Sequence, residues 1–315
     1  MVKFLKITSL VLAIFLFVGV FVGCAGKKDG DGGIKILCSV FPEYDWVRNI
    51  VGDADGVEVE LLVSNGQELH SYEASPKDIM DIKESDVVIS VGGTSDAWIS
   101  EAIDGSDAKH IKLTKIDGIA LREVRAHSSD HEDEHDHEHT EIDEHVWLSL
   151  KNAEIIVEYL SEELSALDKN NAEKYKTNAE KYIGELKSLD QRMTNISTEA
   201  HTLLFADRFP FVYLLEDYGI GYYAAFEGCS SDISWTPETT VDLASRLDAS
   251  NEKYLFVTES SDGELAKLVI STSAGGGQTV VLNSMQSVSI TAAETTSYVK
   301  IMTENVEALE RILGD

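Results

Sequence analysis

Histidines and carboxylates are concentrated in one short segment of the chain, where they could bind metal ions but could not pack into a core. Six of the nine histidines lie between residues 127 and 145, among many Asp and Glu residues. Neutral imidazole favours Zn²⁺, Cu²⁺ and Ni²⁺, and carboxylates bind most divalent cations. The segment therefore predicts an auxiliary metal-collecting loop, and the simpler alternative is a solvated acidic linker. The loop histidines are His127, His131, His135, His137 and His139.

Part of this segment, from His131 to His135, matches the His-Glu-x-x-His motif of zinc peptidases. That motif works on a helix that places both histidines on one face and holds the glutamate as a general base. Here the sequence has no apolar stripe and carries a dense run of like charge. We therefore interpret the match as accidental and predict that the protein is not an enzyme.

The beginning of the chain is typical of an export signal. Two lysines precede an apolar run at residues 7–22, which is short for a permanent membrane span. Gly23 and Cys24 resemble a bacterial lipobox, in which the cysteine is lipidated and becomes the new N-terminus. We expect residues 1–23 to be a signal peptide and 24–33 a lipidated tether at the outer face of the bacterial cell membrane. An uncleaved N-terminal anchor would give the same topology.

Composition limits the partners and the covalent links. The formal net charge of −30 at pH 7 argues against nucleic acid as a partner and is compatible with attraction of cations. With Cys24 assigned to lipid, Cys38 and Cys229 remain in an exported, oxidising setting. Two alternatives stay open for them, a disulfide or two separate thiols.

Strand and helix signals alternate along the chain. Residues 34–40, 57–63 and 86–91 are short runs rich in β-forming residues, with helical segments between them. Such alternation predicts a parallel sheet covered by helices, with ligand groups on loops beyond the C-terminal ends of the strands. The second half predicts, in order, helix 211–218, strand 253–258, helix 263–270, strand 279–282 and helix 291–313.

Apolar residues recur at alternating steps of four and three between residues 171 and 200, which predicts one helix of about 28 residues and roughly 40 Å. A coiled-coil dimer is the competing explanation, but the seam covers too few heptads, so we expect a monomer. We predict an α/β fold with two lobes, each a mainly parallel sheet flanked by helices, joined by one long rigid helix. The predicted parts are the N-terminal lobe 34–168 with its acidic His-rich loop 126–142, the linking helix 169–200 and the C-terminal lobe 201–315.

Two motifs carry a family resemblance. Residues 65–79, which include His70, resemble the first metal-site signature of solute-binding proteins from zinc and manganese ABC importers. Residues 143–149, which include His145, resemble the second signature, and the insertion before them resembles the His-rich loop of zinc-selective members. The lipoprotein start and the long helix fall in the expected order, so the resemblance covers most of the mature chain.

The resemblance implies that His70 and His145 are metal ligands on loops of the N-terminal lobe, and that the C-terminal lobe adds one or two ligands across a cleft. Members with three histidines carry the third at the position of Arg208, and a guanidinium cannot bind a cation. The neighbouring Asp207 is the candidate replacement, and the alternative is a local ion pair or a helix cap. Glu259 resembles the acidic ligand position of the family.

By this resemblance the protein is an extracytoplasmic solute-binding lipoprotein that captures Zn²⁺ between its lobes and delivers it to an ABC permease driven by a separate ATPase. Two imidazoles with carboxylates also suit Mn²⁺ or Fe²⁺, so a binding protein of an importer for those ions is the alternative. The alternative from another functional class is a metal-sequestering surface adhesin, which would act in cell adhesion and have no transport role.

Deletion of residues 127–139 tests the division between a tight site and a collecting loop. We expect the affinity of the tight Zn²⁺ site to stay nearly unchanged, while weaker zinc equivalents disappear from the calorimetric titration, because the loop holds none of the predicted tight-site ligands. A variant with the five loop histidines changed to serine controls for loop length. Loss of the tight site in either variant would contradict the prediction.

Overall fold

The computed structural model describes residues 33–125, 140–196, 201–227, 235–250 and 253–314. Cys24, Cys229 and the five loop histidines lie outside these ranges, so what the sequence predicts for them stays a prediction. Within the described ranges, no helix combines the length and the apolar character that a membrane crossing requires.

The first half of the chain builds a four-stranded parallel sheet in the order β2-β1-β3-β4. Its central strands are apolar and buried, as expected for a sheet that is covered on both faces. The strands are β1 (Ile34–Cys38), β2 (Val57–Leu61), β3 (Val87–Ser90) and β4 (Lys109–Lys112). The helices between them are α1 (Phe41–Val51), α2 (Pro76–Glu84) and α3 (Ala97–Ala102). A small antiparallel hairpin, β5 (Glu123–Arg125) and β6 (Thr140–Ile142), follows.

The second half builds another four-stranded parallel sheet, in the order β10-β9-β7-β8. Its strands are β7 (Thr202–Phe209), β8 (Gly221–Glu227), β9 (Tyr254–Thr258) and β10 (Gln278–Leu282). The two parallel sheets flanked by helices confirm the predicted fold class.

The long helix lies between the two sheets in the chain, after α4 (Leu150–Leu167). Designated α5 (Ala172–Thr194), it is 23 residues long, or about 35 Å, and it buries the predicted apolar stripe from Tyr175 to Met193. It ends earlier than predicted, because the sequence after Thr194 is rich in Asn, Ser and β-branched residues, which favour helix ends over helix interiors.

One hydrophobic core connects the two lobes. It contains Ile36 and Ile89 from the first sheet, Phe256 and Leu282 from the second, and the buried face of α5. Residues 34–315 accordingly group as one compact unit. The two lobes therefore share one core, and the lobe boundaries drawn from the sequence stay a prediction.

The end of the chain differs from the prediction. The helix expected at 291–313 is divided into α9 (Ile290–Ala293) and α10 (Tyr298–Leu313). Ser297 starts α10, because its hydroxyl accepts a hydrogen bond from the Lys300 N–H at 3.1 Å and so satisfies a donor of the first turn. The other helices of this half are α6 (Val212–Glu216), α7 (Pro237–Ala249) and α8 (Glu264–Thr272).

Cys38 lies at the end of β1 as a free cysteine with a buried side chain. Of the two alternatives left open by the sequence, the structure therefore shows the separate thiol for Cys38. Burial raises the pKa of this thiol well above its usual value, as does the nearby Glu43, which disfavours the reactive thiolate.

Glu43, in the first turn of α1, is a fully buried carboxyl. Its Oε2 accepts hydrogen bonds from Ser39 N, Ser39 Oγ and Val40 N, whereas Oε1 has no hydrogen-bond partner among the described residues. Burial, followed by the charge of Asp96, raises its pKa to about 8. The folded protein therefore keeps a proton on Glu43 over a pH range in which the unfolded chain releases it.

We expect Glu43→Gln to flatten the dependence of stability on pH. Because the pKa of Glu43 is raised in the folded protein, the free energy of unfolding falls as pH rises from the ordinary pKa near 4.5 to about 8. The slope is at most about 1.4 kcal/mol per pH unit. Urea unfolding at several pH values in this interval measures the slope of the unfolding free energy. The exposed Glu84→Gln serves as control, and an unchanged slope in Glu43→Gln would refute the assignment.

Candidate metal centre

Two histidines from separate loops of the N-terminal lobe meet in the structure. His70 lies in the 3₁₀ turn Leu69–Ser71 after β2, and His145 immediately precedes the 3₁₀ turn Val146–Leu148. Their Nε2 atoms are 3.3 Å apart, although the residues are 75 positions apart in sequence. His145 is buried, and His70 is partly exposed.

This separation fits two ligands of one ion. Nitrogen ligands about 2.0–2.1 Å from a tetrahedral Zn²⁺ lie roughly 3.4 Å from each other. The two imidazoles are therefore already spaced as neighbouring ligands, and a cation could bind between their Nε2 atoms without movement of the loops.

Each imidazole is oriented through its other nitrogen. His145 Nδ1 lies 2.8 Å from Asp143 Oδ1, which also accepts the His145 backbone N–H. His70 Nδ1 lies 2.7 Å from Ser95 Oγ. Carboxylate or hydroxyl partners of this kind fix the ring and direct the opposite nitrogen towards a metal.

Glu144 supports the His70 side of the pair. Its Oε1 accepts a hydrogen bond from Ser95 N at 2.7 Å, and its buried Oε2, which has no hydrogen-bond partner among the described residues, lies 3.8 Å from His70 Nδ1. The close approach requires Gly93, because a Cβ atom there would lie 2.3 Å from the Glu144 carboxyl. Negative charge is thereby held behind the imidazole, where it favours a cation at the opposite nitrogen.

From the C-terminal lobe, Gln286 reaches this pair. Its Oε1 lies 3.1 Å from His145 Nε2, and the side chain is buried. The turn that carries it follows β10 and is held to the first lobe by the Trp147 indole N–H, which donates to the Ser284 carbonyl at 2.9 Å. Sequence reasoning missed Gln286, because an amide is not among the common zinc ligands and only its place after a strand end marks it.

Glu259 directly follows β9 and lies near the turn that carries Gln286, but its carboxylate is hydrogen-bonded to serine. Its carboxylate accepts hydrogen bonds from Ser284 N at 2.8 Å and Ser284 Oγ at 2.9 Å. Ser284 Oγ lies in turn 3.2 Å from Gln286 Nε2. In this arrangement Glu259 positions the Gln286 turn.

Asp207 lies at an irregularity of β7, where the pairing with β8 shifts register between Phe205 and Arg208. Its Oδ2 accepts hydrogen bonds from Thr258 N at 3.0 Å and Thr258 Oγ1 at 2.7 Å. Asp207 Oδ1 accepts a hydrogen bond from the Arg208 backbone N–H at 2.8 Å, whereas the Arg208 guanidinium pairs with Glu68.

Arg208 and Glu68 join the two lobes beside His70. The guanidinium contacts both carboxylate oxygens of Glu68, with Nη2 2.6 Å from Oε1, and Ser260 Oγ donates to Oε1 at 2.8 Å. Burial acts to raise the pKa of Glu68, but the hydrogen bonds from Arg208 and Ser260 and the positive charge of Arg208 outweigh it, so the pKa is lowered. These three residues, His70 and Asp207 line a cavity of about 300 Å³.

In the described ranges, no three His, Cys, Asp or Glu side chains are arranged to hold a metal ion. The structure thus brings His70 and His145 together, and Gln286 of the C-terminal lobe contacts His145. Glu259 and Asp207 remain predicted ligands whose carboxylates are engaged elsewhere. His201, the remaining histidine of the C-terminal lobe, is partly buried and directly precedes β7.

The chain belongs to the family described as zinc-uptake complex component A, periplasmic (ZnuA), whose model matches residues 36–312. This match confirms the resemblance drawn from the two histidine motifs. It also agrees with a binding protein and not an enzyme, since members of the family are components of uptake complexes.

Individual relatives are similar to this chain over most of its length. The zinc-binding lipoprotein AdcA of Streptococcus pneumoniae is 30% identical over 298 residues, which cover 92% of this chain and 58% of AdcA. This chain thus spans little more than half of that relative. The manganese ABC transporter substrate-binding lipoprotein PsaA of Streptococcus mitis is 27% identical, with 84% of this chain and 86% of PsaA covered.

Solved structures share the fold. The Zn(II)-bound ZnuA-like domain of Streptococcus pneumoniae AdcA superposes with a TM-score of 0.70 at 25% identity, over 90% of this chain and all of that domain. The metal-dependent lipoprotein YcdH from Bacillus subtilis gives a TM-score of 0.72 at 26% identity, over 89% of this chain and 99% of YcdH.

Substitution of the C-terminal-lobe candidates one at a time identifies the oxygen ligand. We expect Gln286→Ala to weaken Zn²⁺ binding about tenfold, because it removes the oxygen next to His145 Nε2. Asp207→Asn should leave the affinity within about threefold, since its hydrogen bonds to Thr258 can be kept by the amide oxygen. Competition with a chromophoric chelator measures each constant. The opposite ranking would make Asp207 the ligand and exclude Gln286.

Proposed function

We propose that the protein is an extracytoplasmic solute-binding protein that captures a Zn²⁺ ion between its lobes and delivers it to an ABC permease. The ion is bound by His70 and His145 from the N-terminal lobe, with an oxygen from Gln286 in the C-terminal lobe. Glu259 and Asp207 complete the predicted set if they leave their hydrogen bonds to Ser284 and Thr258. The protein binds and releases the ion without chemical turnover.

The observation that carries this proposal is the 3.3 Å separation of the two Nε2 atoms, each on a ring fixed through Nδ1. Two hydrogen-bonded rings that point at each other, one of them buried, are costly to arrange for structure alone, because a buried ring nitrogen needs a polar partner. A shared cation satisfies both nitrogens at once. The relatives AdcA and PsaA bear names that specify zinc and manganese binding.

The location and the partners follow from the same kinship and from the N-terminal sequence. We propose lipidation at Cys24, anchorage at the outer face of the cell membrane, and action as a monomer. The acidic loop with His127, His131, His135, His137 and His139 would raise the local zinc concentration. A permease and its ATPase would receive the ion, as the name of PsaA, a substrate-binding lipoprotein of an ABC transporter, supports.

Zinc is favoured over manganese on the character of the donors. The two imidazoles and the Gln286 amide oxygen that lie next to each other are nitrogen-rich donors, whereas Mn²⁺ binds preferentially to carboxylate and water oxygens. A site with such donors also generally binds Zn²⁺ more tightly than Mn²⁺. A manganese-importing role remains the second candidate, supported by the similarity to PsaA.

Competition between Zn²⁺ and Mn²⁺ on the purified protein tests this function. We expect tight stoichiometric Zn²⁺ binding that excess Mn²⁺ does not displace, and a loss of at least about a hundredfold in His70→Ala and in His145→Ala, because each removes one nitrogen ligand. His110→Gln is the matched histidine control, since His110 lies on β4 beside Ser90, with Nε2 2.9 Å from the hydroxyl. Tight Zn²⁺ binding that survives both alanine substitutions would refute the site.

A further inference from the structure

The ion pair between Arg208 and Glu68 lies in the cavity that His70 also lines. Glu68 starts the turn that carries His70, two residues before it, and Arg208 lies on β7 of the opposite lobe. The pair is bidentate and largely buried, with side-chain exposures of 11% for Glu68 and 17% for Arg208. It therefore links the ligand-bearing turn of one lobe to the sheet of the other.

This pair places a fixed positive charge where a divalent cation would arrive. Arg208, Glu68 and His70 line the same cavity. A guanidinium next to a cation site repels the ion, and in a partly buried setting the repulsion is only weakly screened. A carboxylate in the same cavity attracts the ion, and its oxygens are suitable ligands for Zn²⁺ and Mn²⁺.

We propose that Glu68 is an additional metal-binding residue, and that Arg208 holds its carboxylate until the cation displaces the guanidinium. The inference rests on the proposed function. In this exchange Glu68 leaves the guanidinium and binds the cation, while Ser260 Oγ, now 3.2 Å from Arg208 Nη2, keeps a polar contact with Arg208. Arg208 thereby lowers the affinity for the ion and favours its release.

A simple structural latch makes the opposite prediction. If Arg208 only closed the lobes over the ion, its removal would loosen the site and weaken binding. If it competes with the ion for Glu68, its removal frees a carboxylate and eliminates a repulsive charge, so binding becomes tighter. The direction of the change in Zn²⁺ affinity therefore separates the two roles.

Arg208→Gln, Glu68→Gln and the double variant form the test, with Zn²⁺ affinity measured by chelator competition. We expect Arg208→Gln to bind Zn²⁺ about tenfold or more tightly and Glu68→Gln to bind about tenfold more weakly. In the double variant, the gain from Arg208→Gln should be smaller than in the single variant, because the freed carboxylate is absent and only the loss of the repulsive charge remains. Arg246→Gln, which removes an exposed arginine paired with Asp242, is the control and should leave the affinity unchanged.

The visible d–d spectrum of the Co²⁺-loaded protein is a second measurement. If Arg208 and Glu68 form only a structural latch, substitution of Glu68 should leave this spectrum unchanged. Loss of a carboxylate ligand in Glu68→Gln should change band positions and intensities, whereas Arg246→Gln should give the spectrum of the unaltered protein. Weaker binding by Arg208→Gln in a protein that unfolds at the same urea concentration, or an unchanged Co²⁺ spectrum in Glu68→Gln, would overturn the exchange. Failure of the unaltered protein to bind Zn²⁺ at all would instead reject the proposed function.

Discussion

The buried turn between Asp143 and Leu148 is the constraint on which the candidate site depends, because residues from both lobes hold it in place. The Tyr213 hydroxyl donates to the Asp143 carbonyl at 2.8 Å, and the Tyr298 hydroxyl donates to the Trp147 carbonyl at 2.7 Å. The Trp147 indole donates in return to Ser284. His145 is thus placed by packing that exists only when both halves of the chain have folded around their common core, which ties the geometry of the site to global stability.

The N-terminal lobe buries several carboxyls, among them Glu144, which lies next to the candidate site. Glu144 is next to His70, Asp96 accepts the backbone N–H groups of Gly92 and Gly93, and Glu43 lies within the electrostatic range of Asp96. Burial raises the pKa of Asp96, opposed by the Gly92 hydrogen bond. Such groups are costly to bury. Glu43 keeps its proton below about pH 8 and so adds no attraction for a cation, whereas the Glu144 carboxylate beside His70 favours one.

The sequence predicted the elements that depend on local pattern. It did not predict features that depend on contacts between residues far apart in the chain. Short runs of β-forming residues predicted β1, β3 and β9, and the two histidine motifs predicted the pair that lies together in the candidate site. The approach of Gln286 and Arg208 from the C-terminal lobe was not predicted, because neither residue type is a common zinc ligand and only the fold brings them near His145 and His70. The division between α9 and α10 was missed for a local reason, since Ser297 is a weak signal inside a helical pattern.

The common core also limits how an ion could leave. Separation of the lobes as rigid bodies would expose the apolar face of α5. Leu186 and Met193 on this face are inaccessible to solvent in the structure. Exposure of that much apolar surface is unfavourable, whereas movement of a loop changes only local polar contacts. The turn with His70 is linked to the opposite lobe through Glu68, whose partner can be exchanged. Release by displacement of this turn therefore requires less free energy than wide opening about a hinge.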